Sequence, residues 1–317
     1  MVAAADPQID ALELIRSPGV RHETDWHTLV ADPDVEVVHV ATPPHLRGEI
    51  VAHMVSQGKS VFCEKPLALS LQEADGMIST ARAAGVALGV DYVMRYHPAY
   101  ALLVALADSH LLGDLRTISF QNFAQHVPPG HWFWDVRRSG GILVEHGVHF
   151  FDAYSRIAGS PRSVRAVRPR AESIDVAVEY ENGVFGRFYH EFAFPSIVER
   201  TTGTAFFDEG FVEIEGWIPT RLTGSTLVEA DQIRKIAADL NLDLVLERDK
   251  VTRFSIEFGD RNRGYADLIV AGMHDMLHAH RDRNYRMQVS AEDARKSLAV
   301  AIAGQQSAES GETVTPG

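Results

Sequence analysis

Apolar runs and helix-spaced apolar positions alternate through the first third of the chain. Residues 2–5 form an apolar run ending in Asp6-Pro7, and the spacing that follows predicts a helix over residues 9–15, closed by Ser17-Pro18-Gly19. A second strand is predicted over 35–41, stopped by Thr42-Pro43-Pro44. Leu46, Ile50, Val51, Met54 and Val55 then recur at helical spacing until Gly58 supplies a stop. Residues 61–63 read as a buried strand, and because Pro66 cannot continue a ladder, Glu64 and Lys65 project from its carboxyl end. Ser70-Leu71-Gln72-Glu73 has capping-box spacing and predicts a helix to Ala84 with Gly85 at its end, followed by a strand over 86–90.

Three strands alternating with two helices require right-handed crossovers, so these strands run parallel and their carboxyl ends share one edge. Thr42-Pro43-Pro44, Glu64-Lys65-Pro66 and the stretch from Asp91 to Arg95 therefore line one crevice, the place where open α/β sheets bind ligands. Past Pro98 the strands become long, alternating and joined by turns. Residues 115–124 form one; 173–181 and 184–193 flank Asn182-Gly183, and 203–207 and 211–215 flank Asp208-Glu209-Gly210. This half is expected to be an antiparallel sheet, interrupted early by one long helix over 141–158 and closed by another over 291–307. The expected fold class is α/β, with a parallel-sheet domain over residues 1–95 and an α+β domain over 96–317.

The formal charge of −13, with no clustered basic footprint, argues against nucleic acid or an anionic membrane as a main partner. A single cysteine, Cys63, excludes an internal disulfide, and its apolar surroundings favour a buried, inert thiol in a reducing compartment. No run of eighteen apolar residues occurs, and the opening residues lack the basic region and apolar core of a signal peptide, so a cytoplasmic protein is expected.

Chemistry concentrates in two places. Among the five lysines Lys59, Lys65, Lys235, Lys250 and Lys296, Lys65 stands beside a carboxylate at a strand end, where a cation can hold an oxyanion or a ribose hydroxyl. On the helix after Ser139-Gly140-Gly141, Glu145, His149, Asp152 and Arg156 fall at i, i+4, i+7 and i+11, which places them on one face. Leu143, Val144, Val148, Phe150, Phe151 and Tyr154 mark that helix as buried, so the polar stripe needs partners. Two readings stand: a satisfied core network, or a proton-transfer site with His149 as the base and Glu145 setting its tautomer or basicity. His274-Asp275-Met276-Leu277-His278 resembles a zinc motif with Asp for Glu, but lacks a third ligand in sequence; no metal is expected. Trp132-Phe133-Trp134 reads equally as an aromatic platform for a sugar ring or as a hydrophobic plug.

Taken in order, Thr42-Pro43-Pro44, Gly58-Lys59, Glu64-Lys65-Pro66, Arg95-Tyr96-His97-Pro98, Gly140-Gly141 and the run from Glu145 to Asp152 resemble the Gfo/Idh/MocA oxidoreductases, which include glucose-fructose oxidoreductase and inositol dehydrogenase. The likeness extends to the chain's end, where the stretch from Val289 to Ala294 and Ser307-Ala308-Glu309-Ser310-Gly311 resemble the family's closing helix. The resemblance implies a Rossmann domain binding NAD, with NADP as the alternative, and redox chemistry at a carbinol carbon of a sugar, inositol or related polyol. It implies Lys65, His149 and Glu145 as catalytic residues. Asp6, Thr42, Pro43, Pro44, Glu64, Lys65 and Arg95 would hold the cofactor, and Tyr96, Trp132, Arg137 and His149 the substrate. A homo-oligomer is expected, since the broad sheet has one face that can meet another subunit.

The sequence departs from that family in three ways. Glu145 stands where Asp is common, a displacement of the carboxylate by about 1 Å, and Arg47 where His is usual. The Gly-x-Gly-x-x-Gly turn is absent, the first glycines being Gly19 and Gly48, and residues 1–6 resemble the family's second strand. The expectation is therefore a polypeptide that begins about 25–30 residues upstream, or a sheet that closes differently. The alternative function is a cofactor-free descendant that binds a sugar-like ligand or a protein partner, with Asp6, Lys65 and His149 as remnants.

Overall fold

The structure, a computed structural model, describes residues 1–15 and 17–317. Its first apolar run is strand β1 (Ala3–Ala5), followed by helix α1 (Ile9–Leu12), which ends earlier than its spacing predicts. Strand β2 (Arg21–Glu23) pairs with β1 in parallel, and helix α2 (His27–Val30) follows. Strand β3 (Val37–Val40), helix α3 (Pro44–Ser56), strand β4 (Ser60–Cys63), helix α4 (Leu71–Ala84) and strand β5 (Leu88–Val90) then build the parallel unit that the alternation implies. Every residue of β4 is buried because it is central in the order β3-β4-β5, which is why it reads as a continuous apolar run. Helix α4 begins at Ser70, whose side chain accepts from the Glu73 amide, and stops at Gly85 in the left-handed region. The Glu73 carboxylate bonds the Leu69 amide instead of that of Ser70, so the box is offset by one residue. Strands β1 and β3 lie in separate sheets and are not bonded to each other.

After a 3₁₀ turn over Val93–Tyr96, helix α5 (Pro98–Asp108) leads into strand β6 (Leu115–Gln125). A 3₁₀ turn at Trp132–Trp134, helix α6 (Val136–Ser139), a π-helical segment Leu143–Gly147 and helix α7 (Val148–Ala158) follow. Strands β7 (Pro161–Arg170), β8 (Ser173–Tyr180), β9 (Phe185–Phe194), β10 (Arg200–Phe207), β11 (Gly210–Glu215) and β12 (Arg221–Thr226) come next. Helix α8 (Ala230–Asp239), strands β13 (Val245–Arg248) and β14 (Thr252–Glu257), and helices α9 (Arg261–Arg281) and α10 (Ala291–Ser310) complete the chain.

The nine strands form one sheet in the order β13-β14-β12-β11-β10-β6-β9-β8-β7. It is mixed, not wholly antiparallel, since β6 runs parallel to β9. Gly183, at φ 87°, lets the chain turn between β8 and β9, and Phe207 pairs with Gly210 across the next hairpin. Helices α5, α6, α8 and α9 interrupt this half in addition to the one expected. Helix α9 hides from an apolar count because two of its buried positions are Gly272 and Asp275. Helices α7 and α10 lie against the sheet, where Phe120, Phe150, Phe151, Tyr154 and Phe188 form an aromatic core. Burying each such ring stabilises the fold by about 1.5–3 kcal/mol, which fixes α7 and hence the residues it presents. No helix among the described residues is long and apolar enough to cross a membrane.

Candidate active site

The loops after β3, β4 and β5 meet at the carboxyl edge of the parallel sheet. The buried Arg47, from the first turn of α3, ties two of them together by donating to the carbonyl of Thr42 at 2.6 Å and to the carbonyl of Pro66. This residue was the unexplained departure in the sequence, and its function here is to hold both loops that flank Lys65. Lys59, by contrast, is a buried strut whose Nζ donates to the carbonyls of Asp32 and Val35 at 2.6 and 2.7 Å. The Lys65–Pro66 peptide is cis.

Lys65 Nζ reaches into the second half of the molecule. It donates to Glu145 Oε1 at 2.6 Å and to the Glu145 backbone carbonyl at 2.7 Å, in a half-closed position where both side chains are about one-sixth exposed. An ammonium has three donors, so one remains for a ligand. The anticipated relation between Glu145 and His149 does not hold. Glu145 lies inside the π-helical segment Leu143–Gly147 and His149 in the α-helix after it, and i→i+5 bonding widens the turn between them relative to the i, i+4 stacking of an α-helix. Glu145 therefore faces Lys65. Arg156, the last member of the expected stripe, is exposed.

The glycines before this segment are required by its geometry. Gly140 and Gly141 have φ of 79° and 83°, and a side chain at Gly141 would strike Gln305, which donates to the Gly140 carbonyl from α10.

His149 is 8% exposed, with Nδ1 buried and unpartnered, and its ring lies edge-on to Tyr92 at 5.7 Å. Burial, and then the positive charge of Lys65, hold its pKa well below the ordinary histidine value, so the ring is neutral at neutral pH. His146 is likewise pushed down to about 3, chiefly by burial. Its Nε2 accepts from Asn122 at 3.0 Å, and Asn122 Oδ1 in turn accepts from Thr201 at 2.8 Å. Neither Asn122 nor Thr201 carries a sequence signal, because their only mark is pairing across β6 and β10.

Asp152 pairs with Arg95 in two bonds of 2.6 and 2.7 Å, joining α7 to the turn after β5. Arg95 thus spends its guanidinium on the second half of the chain. The Tyr96 hydroxyl donates to Asp275 at 2.9 Å, and Asp275 also accepts from Tyr285 at 2.7 Å and the Gln288 amide at 2.8 Å. The acid of the zinc-like motif is therefore a structural acceptor, while His274 and His278 are exposed. Phe133 is buried, the Trp134 indole donates to the Val127 carbonyl at 3.1 Å, and Trp132 is half-buried. Arg137 is exposed and bonds Asp135 at 3.3 Å. Asp6 ends β1, and its carboxylate accepts from the Gln8 amide at 2.8 Å. Pro43 and Pro44 form the N-cap and first position of α3, and the Glu64 amide donates to the Val40 carbonyl at 2.9 Å.

Thr42 Oγ1, both oxygens of Asp91, the Tyr92 hydroxyl and His149 Nδ1 are all buried without a hydrogen-bond partner. Buried polar atoms are normally paired, so their gathering around the strand ends marks a place built for a polar ligand. With a cation (Lys65) and a neutral imidazole (His149) at that edge, the arrangement can stabilise a developing alkoxide and accept a hydroxyl proton.

Residues 1–92 match the Gfo/Idh/MocA model described as "Oxidoreductase family, NAD-binding Rossmann fold", and residues 106–315 match its companion, "Oxidoreductase family, C-terminal alpha/beta domain". The 1,5-anhydro-D-fructose reductase of Ensifer adhaerens is 30% identical over 206 residues, 61% of this chain and 58% of that protein. The levoglucosan dehydrogenase of Pseudarthrobacter phenanthrenivorans is 31% identical over 175 residues, 53% of this chain and 44% of that protein. The chain thus spans about half the length of the curated relatives it matches. A solved levoglucosan dehydrogenase, in complex with NADH and levoglucosan, superposes with a TM-score of 0.81 at 20% identity, over 99% of this chain and 89% of that one, a likeness of fold.

Proposed function

The chain belongs to the Gfo/Idh/MocA oxidoreductase family, and from that premise we propose that it transfers a hydride between NAD and a carbinol carbon of a sugar, inositol or related polyol. Residues 1–95 are the cofactor half and 96–317 the substrate half. The observation that carries the proposal is the docking of Lys65, from the first half, onto Glu145 at the entrance to the helix that presents the neutral His149.

The residues of this edge fit the nicotinamide and ribose parts of a dinucleotide. The unpartnered Thr42 hydroxyl, the third proton of Lys65 and the Asp6 carboxylate are the donor and acceptor types that ribose hydroxyls and an amide require. When bound, the nicotinamide supplies the hydride acceptor or donor. His149 takes the hydroxyl proton as the substrate is oxidised and returns it on reduction, and Lys65 holds the substrate oxygen as its charge grows. Glu145 positions Lys65, and Arg47 holds the two loops around it. The half-buried Trp132 lies in the substrate half as a face for the ring. Two copies meet through the open face of the nine-stranded sheet, where Phe185, Phe206 and Phe211 form an exposed row in register with Thr117. The free, buried Cys63 thiol, pushed up to about 12 by burial, suits the cytoplasm.

The test is calorimetric NAD binding followed by reduced-nicotinamide absorbance with levoglucosan, inositols and anhydro sugars as substrates. Lys65→Met is expected to lower kcat by about 10²–10³-fold with the melting temperature unchanged. A folded chain that binds no NAD, or one that turns over equally well without Lys65, would sink the proposal.

A further inference from the structure

A second constellation borders the same carboxyl edge and takes in the unpartnered Asp91, whose carboxylate has no assigned step in the hydride chemistry above. His39 is the third residue of β3, Glu64 follows β4 and Asp91 follows β5, and alternation along three parallel strands brings them to one face of the sheet. One ligand atom from each lies within 4.8 Å of the other two. Among the described residues this is the one such group of three metal-ligating side chains. Asp91 is 1% exposed, and both its oxygens are buried without any hydrogen-bond partner. Two buried carboxylate oxygens left unpaired beside a second carboxylate and an imidazole nitrogen form a donor set that a cation would satisfy.

We propose that His39, Glu64 and Asp91 form a binding site for a divalent transition-metal ion of the zinc or manganese class. One imidazole nitrogen with two carboxylate oxygens is a borderline donor set; magnesium and calcium favour oxygen alone, and soft ions favour sulfur. In a tetrahedral zinc site with bonds of about 2.0–2.2 Å, neighbouring ligand atoms are about 3.4 Å apart. The three side chains therefore close in by roughly an ångström when the ion enters, a movement within reach of the exposed His39 and half-buried Glu64. Three protein ligands leave a position for water or for an oxygen of a bound ligand, and Tyr265 of α9 borders this face. The site goes beyond the proposed redox function and needs no dinucleotide.

The experiment uses the full, untagged chain, stripped with a chelator and titrated calorimetrically with Zn²⁺ and Mn²⁺ in the absence of NAD. One equivalent is expected to bind, and Asp91→Asn or His39→Ala is expected to weaken it by about 100-fold. The control is the double variant His274→Ala/His278→Ala, whose exposed pair on α9 is the other place a zinc ion can lodge; it is expected to bind as the wild type does. His39 is exposed, so its variant stays folded even if Asp91→Asn does not. Absence of stoichiometric binding, binding that survives His39→Ala, or binding lost with His274 and His278 would each overturn the assignment. The metal titrations are made without NAD and the NAD titration without added metal, so failure of one proposal is read separately from failure of the other.

Discussion

Asp152→Ala leaves Arg95 as a buried cation without its counter-charge. In the native protein the carboxylate takes two hydrogen bonds from the guanidinium at 2.6 and 2.7 Å, and the two side chains are only 8% and 1% exposed. Burial holds the Asp152 carboxyl above its ordinary value even against the pull of Arg95, so each partner's charge depends on the other for compensation. Removing one partner of such a pair costs about 3–5 kcal/mol. Arg95 retains a long bond to the Gln288 carbonyl at 3.4 Å and some access to water, which places the expected loss at the lower end of that range, about 3 kcal/mol. Against a total stability of about 5–15 kcal/mol this is a large share. The double variant Arg95→Met/Asp152→Leu removes both charges and is expected within about 1 kcal/mol of wild type. Urea unfolding followed in parallel by far-ultraviolet circular dichroism and tryptophan fluorescence measures both, provided the two transitions coincide. A loss below about 1 kcal/mol for Asp152→Ala, or a double variant weaker than the single one, would refute the account of a desolvated pair joining the two halves.

Three further outcomes follow from the site. Arg47→Met strands the carbonyls of Thr42 and Pro66, and is expected to cost about 1–3 kcal/mol and to raise KM for the cofactor; an unchanged melting curve and unchanged kinetics would show that the two loops hold without it. Glu145→Asp withdraws the carboxylate from Lys65 while leaving the backbone carbonyl bond, so kcat is expected to fall by about 10–100-fold with little change in stability, and steady-state kinetics beside a thermal melt decides it. His97, pushed down to about 4, and His146, pushed down to about 3, are both depressed chiefly by burial. Because the unfolded chain takes up these protons near pH 6.5 and the folded chain does not, stability is full above about 6.5 and drains as pH falls toward 4 and 3, by at most about 1.4 kcal/mol per pH unit for each ring. Urea midpoints that stay level from pH 7 to pH 4.5, values about the window above, would contradict it.

Much of the first half was legible because its signals are local. The Ser70 cap, the Gly85 stop, the buried run at β4 and the Pro66 that ends it are each decided within a few residues, and the crossover rule then places the loops at one edge. The second half was legible at its hairpins but not in its helices. Helix α9 buries Gly272 against Phe62, and Asp275 under two tyrosine hydroxyls, positions that an apolar periodicity passes over. The π-helical segment at Leu143–Gly147 gave no warning in spacing, and Glu145 within it pairs with Lys65.

By itself, then, the sequence determined the alternation of elements, the parallel unit and the hairpin turns, which rest on short-range sterics and side-chain period, and it marked Lys65 and His149 as candidates. Only the tertiary structure decided what those side chains face. The pairing of Lys65 with Glu145, the use of Arg47 as a clamp, the diversion of Tyr96 and Arg95 to Asp275 and Asp152, and the meeting of His39, Glu64 and Asp91 all join residues from different elements. Such contacts depend on how buried polar groups find partners once packing has removed water from around them, a condition no local pattern records.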